Sequence, residues 1–313
     1  MAANVENMFY VGRQVPWHGL GVSVVEAPNS AEAIKLAGLN WQVETTCMKI
    51  EHKGNDIIVP NVFANKRSTD GAVLGVVTGK YKIVQNEEAF SFTDGLLGED
   101  IKYETAGSLA GGKKIWLLAR MPDSEIVGDK FENYLAFCNS HDGKGSVQVA
   151  ATKVRIVCEN TMNLALNTAK RSWSTKHMGN MESKMAEAHR TLELANTYND
   201  AFVLEASKLA DEKITDISFE LFVQNLVNIP EGATDRIIRG ITEQRDDLMM
   251  RYMKAPDLST IRGTKWGVLQ AVSDFATHKT PQRNTATHQE NLFDETIQGN
   301  KLIDKAYDLL KAV

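Results

Sequence analysis

The sequence predicts an α+β protein, with an antiparallel-rich or mixed sheet in its N-terminal half and a helical C-terminal half. Three observations carry this. Up to about residue 158 the chain is a series of short runs rich in β-branched and aromatic residues, parted by Gly, Asn or Asp turns. These runs mostly follow one another directly instead of alternating with helices, which argues against a doubly wound nucleotide fold. Later in the chain apolar residues recur at three-, four- and seven-residue steps, the period of a helix face. This divides the chain into a sheet domain over residues 1–180 and a helical region over 181–313, which can pack on the sheet as one unit.

Taken in order, Ser30 is a candidate N-cap for a short helix over 31–37 closed by Gly38. Strands are expected over 41–51, 56–64 and 72–77. Asn86 precedes a helix over 87–97, whose early glutamates suit the positive end of its dipole. Five more strands, over 101–108, 114–119, 134–139, 147–151 and 154–158, complete the sheet. Asn160 or Thr161 then caps a helix running to about Lys170. A long helix over 183–209 aligns Ala188, Leu192, Ala195, Phe202, Ala206 and Leu209 on one stripe. Further helices are expected over 219–227, 233–252, 264–277 and 300–310, the third with Thr264 as cap and Trp266 in its first turn. The polar stretch 278–290 lacks an apolar period and reads as a loop.

With 43% hydrophobic and 24% charged residues, the 313-residue chain has a globular composition, which excludes wholesale disorder. No apolar run approaches roughly 18 residues, so no membrane span is expected. The first residues lack the pattern of a secretory leader. Three widely spaced cysteines, Cys47, Cys138 and Cys158, suit unpaired thiols in a cytoplasm, the last two as small apolar residues of strands.

Motifs of catalysis are broken. Gly107 to Lys113 matches G-x-x-x-x-G-K, but Lys114 stands where Ser or Thr must hold magnesium. The strand-like Ile115-Trp116-Leu117-Leu118 follows where a helix must begin, so a Gly-Gly turn is the better account. Ser140, His141 and Asp142 are adjacent, whereas a triad needs spatial convergence, and they read as a hairpin tip. The seven histidines show no zinc-binding spacing, and no spaced carboxylates mark a metal-dependent nuclease. No catalytic residue, metal or cofactor is predicted.

Charge is more informative. The net charge of -5 leaves any nucleic-acid contact to a local positive face. Between Lys144 and Arg190 stand eight basic and three acidic residues, with Trp173 and His177 among them. Lys153 and Arg155 alternate onto one strand face with Val157, which would then offer cations. Lys170, Arg171 and Lys176 continue the run, while Tyr81-Lys82 and Lys113-Lys114 beside Trp116 repeat the mixture. Cations neutralise phosphates and aromatic faces stack bases. Lys153, Arg155, Lys170, Arg171, Lys176, Lys82, Lys113 and Lys114 are therefore candidate phosphate contacts, and Trp173 and Tyr81 candidate stacking platforms. The competing account is a solvated connector with core aromatics.

Several segments carry a family likeness: Pro16 to Gly21, Tyr81 to Asn86, Gly111 to Trp116, Thr152 to Thr161, and Gly263 to Trp266 with Ala271, Val272 and His278 beyond. In this order they resemble the phage and plasmid-like proteins grouped as domain of unknown function 932. The resemblance spans residues 16–278. It implies a gene carried by a phage, prophage or plasmid and acting in a bacterial cytoplasm, and it implies no activity. Together with the charge pattern it leads to an expected function: a non-catalytic protein of DNA transactions. Such a protein binds or anneals single-stranded DNA, in preference to RNA, during recombination or replication, and acts as a homo-oligomer without membrane contact. The alternative is a protein-binding phage factor of counter-defence or assembly, with an acidic helical half as its surface.

Overall fold

A computed structural model describes residues 5–12, 21–97, 102–155, 160–161, 172–192, 195–278 and 299–312. The chain is α+β, with its strands concentrated before residue 176 and its longer helices after it. The first sheet contains β1 (Val5–Val11) and β2 (Val22–Val24), and the second is formed by β3 (Val43–His52), β4 (Asn55–Arg67) and β5 (Val73–Thr78). The first then continues through β6 (Lys102–Leu109), β7 (Lys114–Ile126), β8 (Asp129–Ser140), β9 (Val147–Arg155), β10 (Asn160–Thr161) and β11 (Ser172–Thr175). Its order is β10-β9-β8-β7-β6-β1-β2, with β11 also on β9, and every pairing but β1–β2 is antiparallel.

One face of this sheet is apolar because alternate residues of each strand are: Tyr103 and Ala106, Leu117, Leu135 and Phe137, Val147, Val149 and Ala151 are all buried there. Against them pack α1 (Ser30–Leu36), α2 (Asn86–Leu97) and α3 (Met181–Leu192). The cap of α1 is Asn29, not Ser30: its side chain accepts from Glu32 N–H at 3.0 Å while the Glu32 carboxylate accepts from Asn29 N–H, a reciprocal box that serine at 30 does not form.

A second core lies among α4 (Ala195–Asp211), α5 (Asp216–Leu226), α6 (Asp235–Lys254), α7 (Lys265–His278) and α8 (Lys301–Ala312). Helix α7 is central: Trp266, Leu269, Val272 and Phe275 are all buried. Thr264 caps it by accepting from Gly267 N–H at 3.0 Å. The long β7–β8 hairpin enters this second core through Ile126 and Phe131 near its tip.

Several expected elements are redrawn. The helix expected over 183–209 is described as α3 and α4, on either side of residues 193–194, which lie outside the described residues; α3 packs on the sheet while Tyr198, Phe202, Ala206 and Leu209 of α4 face the second core. The strands expected over 147–151 and 154–158 are one, continuous to Arg155. Asn160 and Thr161 pair with Arg155 and Val154 as a strand; Cys158 and the expected helix after them lie outside the described residues. The glycine loop after Gly107 joins antiparallel β6 and β7 and opens no helix. Among the described residues, no helix is long and apolar enough to cross a membrane. Cys47 is an exposed free thiol, and Cys138 is half-buried.

Candidate nucleic-acid interface

The outer face of the first sheet, away from α1 to α3, is built by register. Gly107, Trp116, Cys138, Gln148 and Ser174 lie opposite one another across β6, β7, β8, β9 and β11. A side chain at Gly107 would meet the Trp116 ring at 2.6 Å, so only glycine lets the indole lie across the neighbouring strand. Lys114 pairs with Ser140 two residues toward the strand ends, so both share this face with Trp116 and Cys138. Lys176 follows Ser174 by two residues, and Lys144 and Ser146 come from the β8–β9 turn. Lys114, Lys144 and Lys176 thereby converge on an open groove of about 360 Å³ floored by Leu109 and Trp116 and edged by Ser140, Ser146 and Gln148. Among the described residues, no carboxylate lines it.

The turn that carries Lys144 is fixed by its own side chains. Asp142 Oδ1 accepts from Ser140 Oγ at 2.5 Å and from the N–H groups of Lys144 and Gly145. Burial raises the Asp142 carboxyl, but these hydrogen bonds and the Lys114 charge outweigh it and hold it below the usual range. The turn is seated on β5, where a side chain at Gly75 would come within 2.4 Å of the Asp142 backbone.

Beneath the turn, His141 is fully buried. Its N–H donates to the Lys113 carbonyl, and its own carbonyl accepts from Asn65. Asn86 donates through its amide nitrogen to Leu39 and Trp41, so its Oδ1 is the acceptor for His141 Nε2–H at 3.0 Å. Burial, aided by nearby His177, pushes His141 down to about 3. His177 donates from Nδ1 to the Lys82 carbonyl at 2.8 Å, and burial lowers its pKa too.

These contacts place the predicted residues plainly. Lys114 and Lys176 line the groove together, while Lys82 and Lys113 are exposed but absent from its lining. Tyr81 is stacked on His177 with centroids 4.6 Å apart, and its hydroxyl donates to the Ser140 carbonyl at 2.6 Å. Burial drives its phenol well above the ordinary range. It clamps the groove wall, so the expectation of a free stacking platform is corrected. Trp173 pairs with Val149 and turns to the sheet core, which removes it as an open platform for the same reason.

Lys153 is the clearest correction. It shares its face with Val147, Val149 and Ala151, which is the buried face, and is 1% exposed. Its ammonium donates to Asn133 Oδ1 at 2.6 Å, lies 5.3 Å from the Phe202 ring centre, and is pushed down to about 8 by burial. It is an interior cation and presents nothing to a phosphate. Arg155 is on β9 seven residues beyond Gln148, about 23 Å along a strand. Lys170 and Arg171 lie outside the described residues. Lys144, Ser146 and Gln148 escaped sequence reasoning as site residues; their two-residue spacing on one face is visible, but the strands opposite are set by register.

Among the described residues, no group of three His, Cys, Asp or Glu is placed to hold a metal ion. A family model described as a domain of unknown function, DUF932, matches residues 73–297, a stretch that contains every described residue lining the groove. No curated protein and no solved structure matches the chain. Since the match covers more than half of its length, the chain belongs to the DUF932 family.

Proposed function

We propose that the protein binds single-stranded DNA, without catalysing a reaction on it, in the DNA transactions of a mobile element. One observation carries the reading: Lys114, Lys144 and Lys176, from three separate segments, meet on an open groove that no carboxylate among the described residues lines. Among the described residues no carboxylate lies within salt-bridge distance of their ammonium groups, and only Asp142 acts on Lys114 at longer range, so they can reach phosphates. The serines and Gln148 supply uncharged hydrogen-bonding groups beside them.

Fluorescence anisotropy with labelled single-stranded DNA at several salt concentrations tests it. Affinity should fall with salt at about -0.7 per phosphate neutralised, and each of Lys114→Gln, Lys144→Gln and Lys176→Gln should flatten the slope by about that amount. Lys153→Met, altering an interior cation, should leave the slope unchanged. If the folded wild-type protein shows no salt-dependent binding at micromolar concentration, the protein-partner reading replaces this one. That second reading draws support from Ile217 and Leu221, 73% and 55% exposed one turn apart on α5.

A further inference from the structure

The geometry points to an end-binding site: the groove takes the terminal phosphomonoester of a single strand in preference to its internal phosphodiesters. This rests on the single-strand reading above and names the part of the strand that the groove selects.

Charge and volume lead to it together. Three lysines meet at the groove, and Asp142, within the β8–β9 turn and attracted by Lys114, offsets one of them. Two positive charges remain. An internal phosphodiester carries one negative charge, whereas a phosphomonoester carries about -1.5 to -2 at neutral pH and offers three strong acceptor oxygens. A longer run of phosphodiesters would balance the lysines equally well if there were room for it. The space of about 360 Å³ is near the lower limit of small-molecule pockets, roughly 300–1,000 Å³, and suits about one nucleotide. The groove also lies at the ends of β7, β8 and β9, where the β8–β9 turn bounds it. That turn is backed by β5 at Gly75. Leu109 and Trp116 give the terminal nucleotide an apolar floor, and Ser140, Ser146 and Gln148 give it uncharged partners at the rim.

The test compares one short oligonucleotide in three forms: 5′-phosphorylated, 3′-phosphorylated and with both ends hydroxyl. Thymidine monophosphate serves as the unlinked control. One phosphorylated form should bind about tenfold tighter than the hydroxyl form, the scale of an added charge-assisted hydrogen bond. That preference should vanish when Lys114→Gln, Lys144→Gln and Lys176→Gln are combined in a variant shown to fold. Equal binding of all three forms overturns the end-site inference and leaves strand binding intact. A preference that survives in the combined variant overturns the assignment to this groove. Binding of thymidine monophosphate with no binding of any oligonucleotide overturns the end site and the strand reading together, as does no binding at all.

Discussion

Truncation of Phe131 to alanine should cost about 3–5 kcal/mol, the range for removing a fully buried aromatic ring. Phe131 is 0% exposed, and its ring centre lies 6.5 Å from those of both Phe202 and Trp266. It is the sheet's main contribution to the helical core, so its loss should act on the junction as well as on local packing. The hairpin tip beside it is strained. The β7–β8 turn is Val127-Gly128, both at positive φ (53° and 81°), the pair of left-handed residues that a two-residue turn between twisted strands requires. A β-branched residue is rare there, and Val127 is held by its packing against the helical core. Denaturant unfolding followed by far-ultraviolet circular dichroism and by tryptophan fluorescence checks this. Phe131→Ala should lower the midpoint strongly, whereas Ile57→Ala on the exposed β3–β4 hairpin should change stability by less than about 0.5 kcal/mol. A loss below about 1 kcal/mol for Phe131→Ala would show that the hairpin does not join the two cores.

The same hairpin shows what was legible in the sequence. Runs of β-branched and aromatic residues located β3 to β9 because each strand's local composition suffices to mark it. Strands β1, β2, β10 and β11 were missed. β2 spans only three residues, and β11 is a serine-rich tetrapeptide whose pairing with β9 supplies what its composition does not. That α3 and α4 serve different cores was invisible for a related reason. A stripe of helical period records that a face is buried, and not which of two cores buries it.

The groove was legible as charge and illegible as geometry. Lysine density between residues 144 and 190 was real, yet alternation alone assigned no sign to a strand face. Lys153 shares its face with Val147, Val149 and Ala151 and follows them inward, while Lys114 and Lys176 share theirs with Trp116 and Ser174. An aromatic beside a lysine did not distinguish a platform from a clamp. Tyr81 is a clamp because His177, ninety-six residues later, stacks on it. Such long-range pairings have no local signal.

Acidification should destabilise the protein below pH 6.5 through His141, before most carboxylates titrate. In the unfolded chain a histidine takes up its proton near pH 6.5, whereas in the folded protein His141 resists until about 3. Between those values the unfolded state binds more protons, so stability is full above pH 6.5 and falls as the pH drops. The slope approaches about 1.4 kcal/mol per pH unit, which gives about 2 kcal/mol by pH 5. The structural cause is specific. Nε2–H is committed to Asn86, and Nδ1 is buried with no hydrogen-bond partner, so a second proton would place an uncompensated charge there. His177, with its Nε2 likewise buried and unpartnered, adds in the same direction. His141→Gln, which keeps a donor for Asn86 but does not titrate, separates this from the carboxylates. The variant should be less stable than wild type at pH 7.5, by about 1–3 kcal/mol, yet its stability should fall less between pH 6.5 and 5. Parallel curves for the two proteins across that window would refute the role of His141. Because the backbone of His141 anchors the turn carrying Lys144, and that of His177 pairs with Lys82 directly after Lys176, the same acid step should loosen the groove's two flanking lysines as the fold weakens.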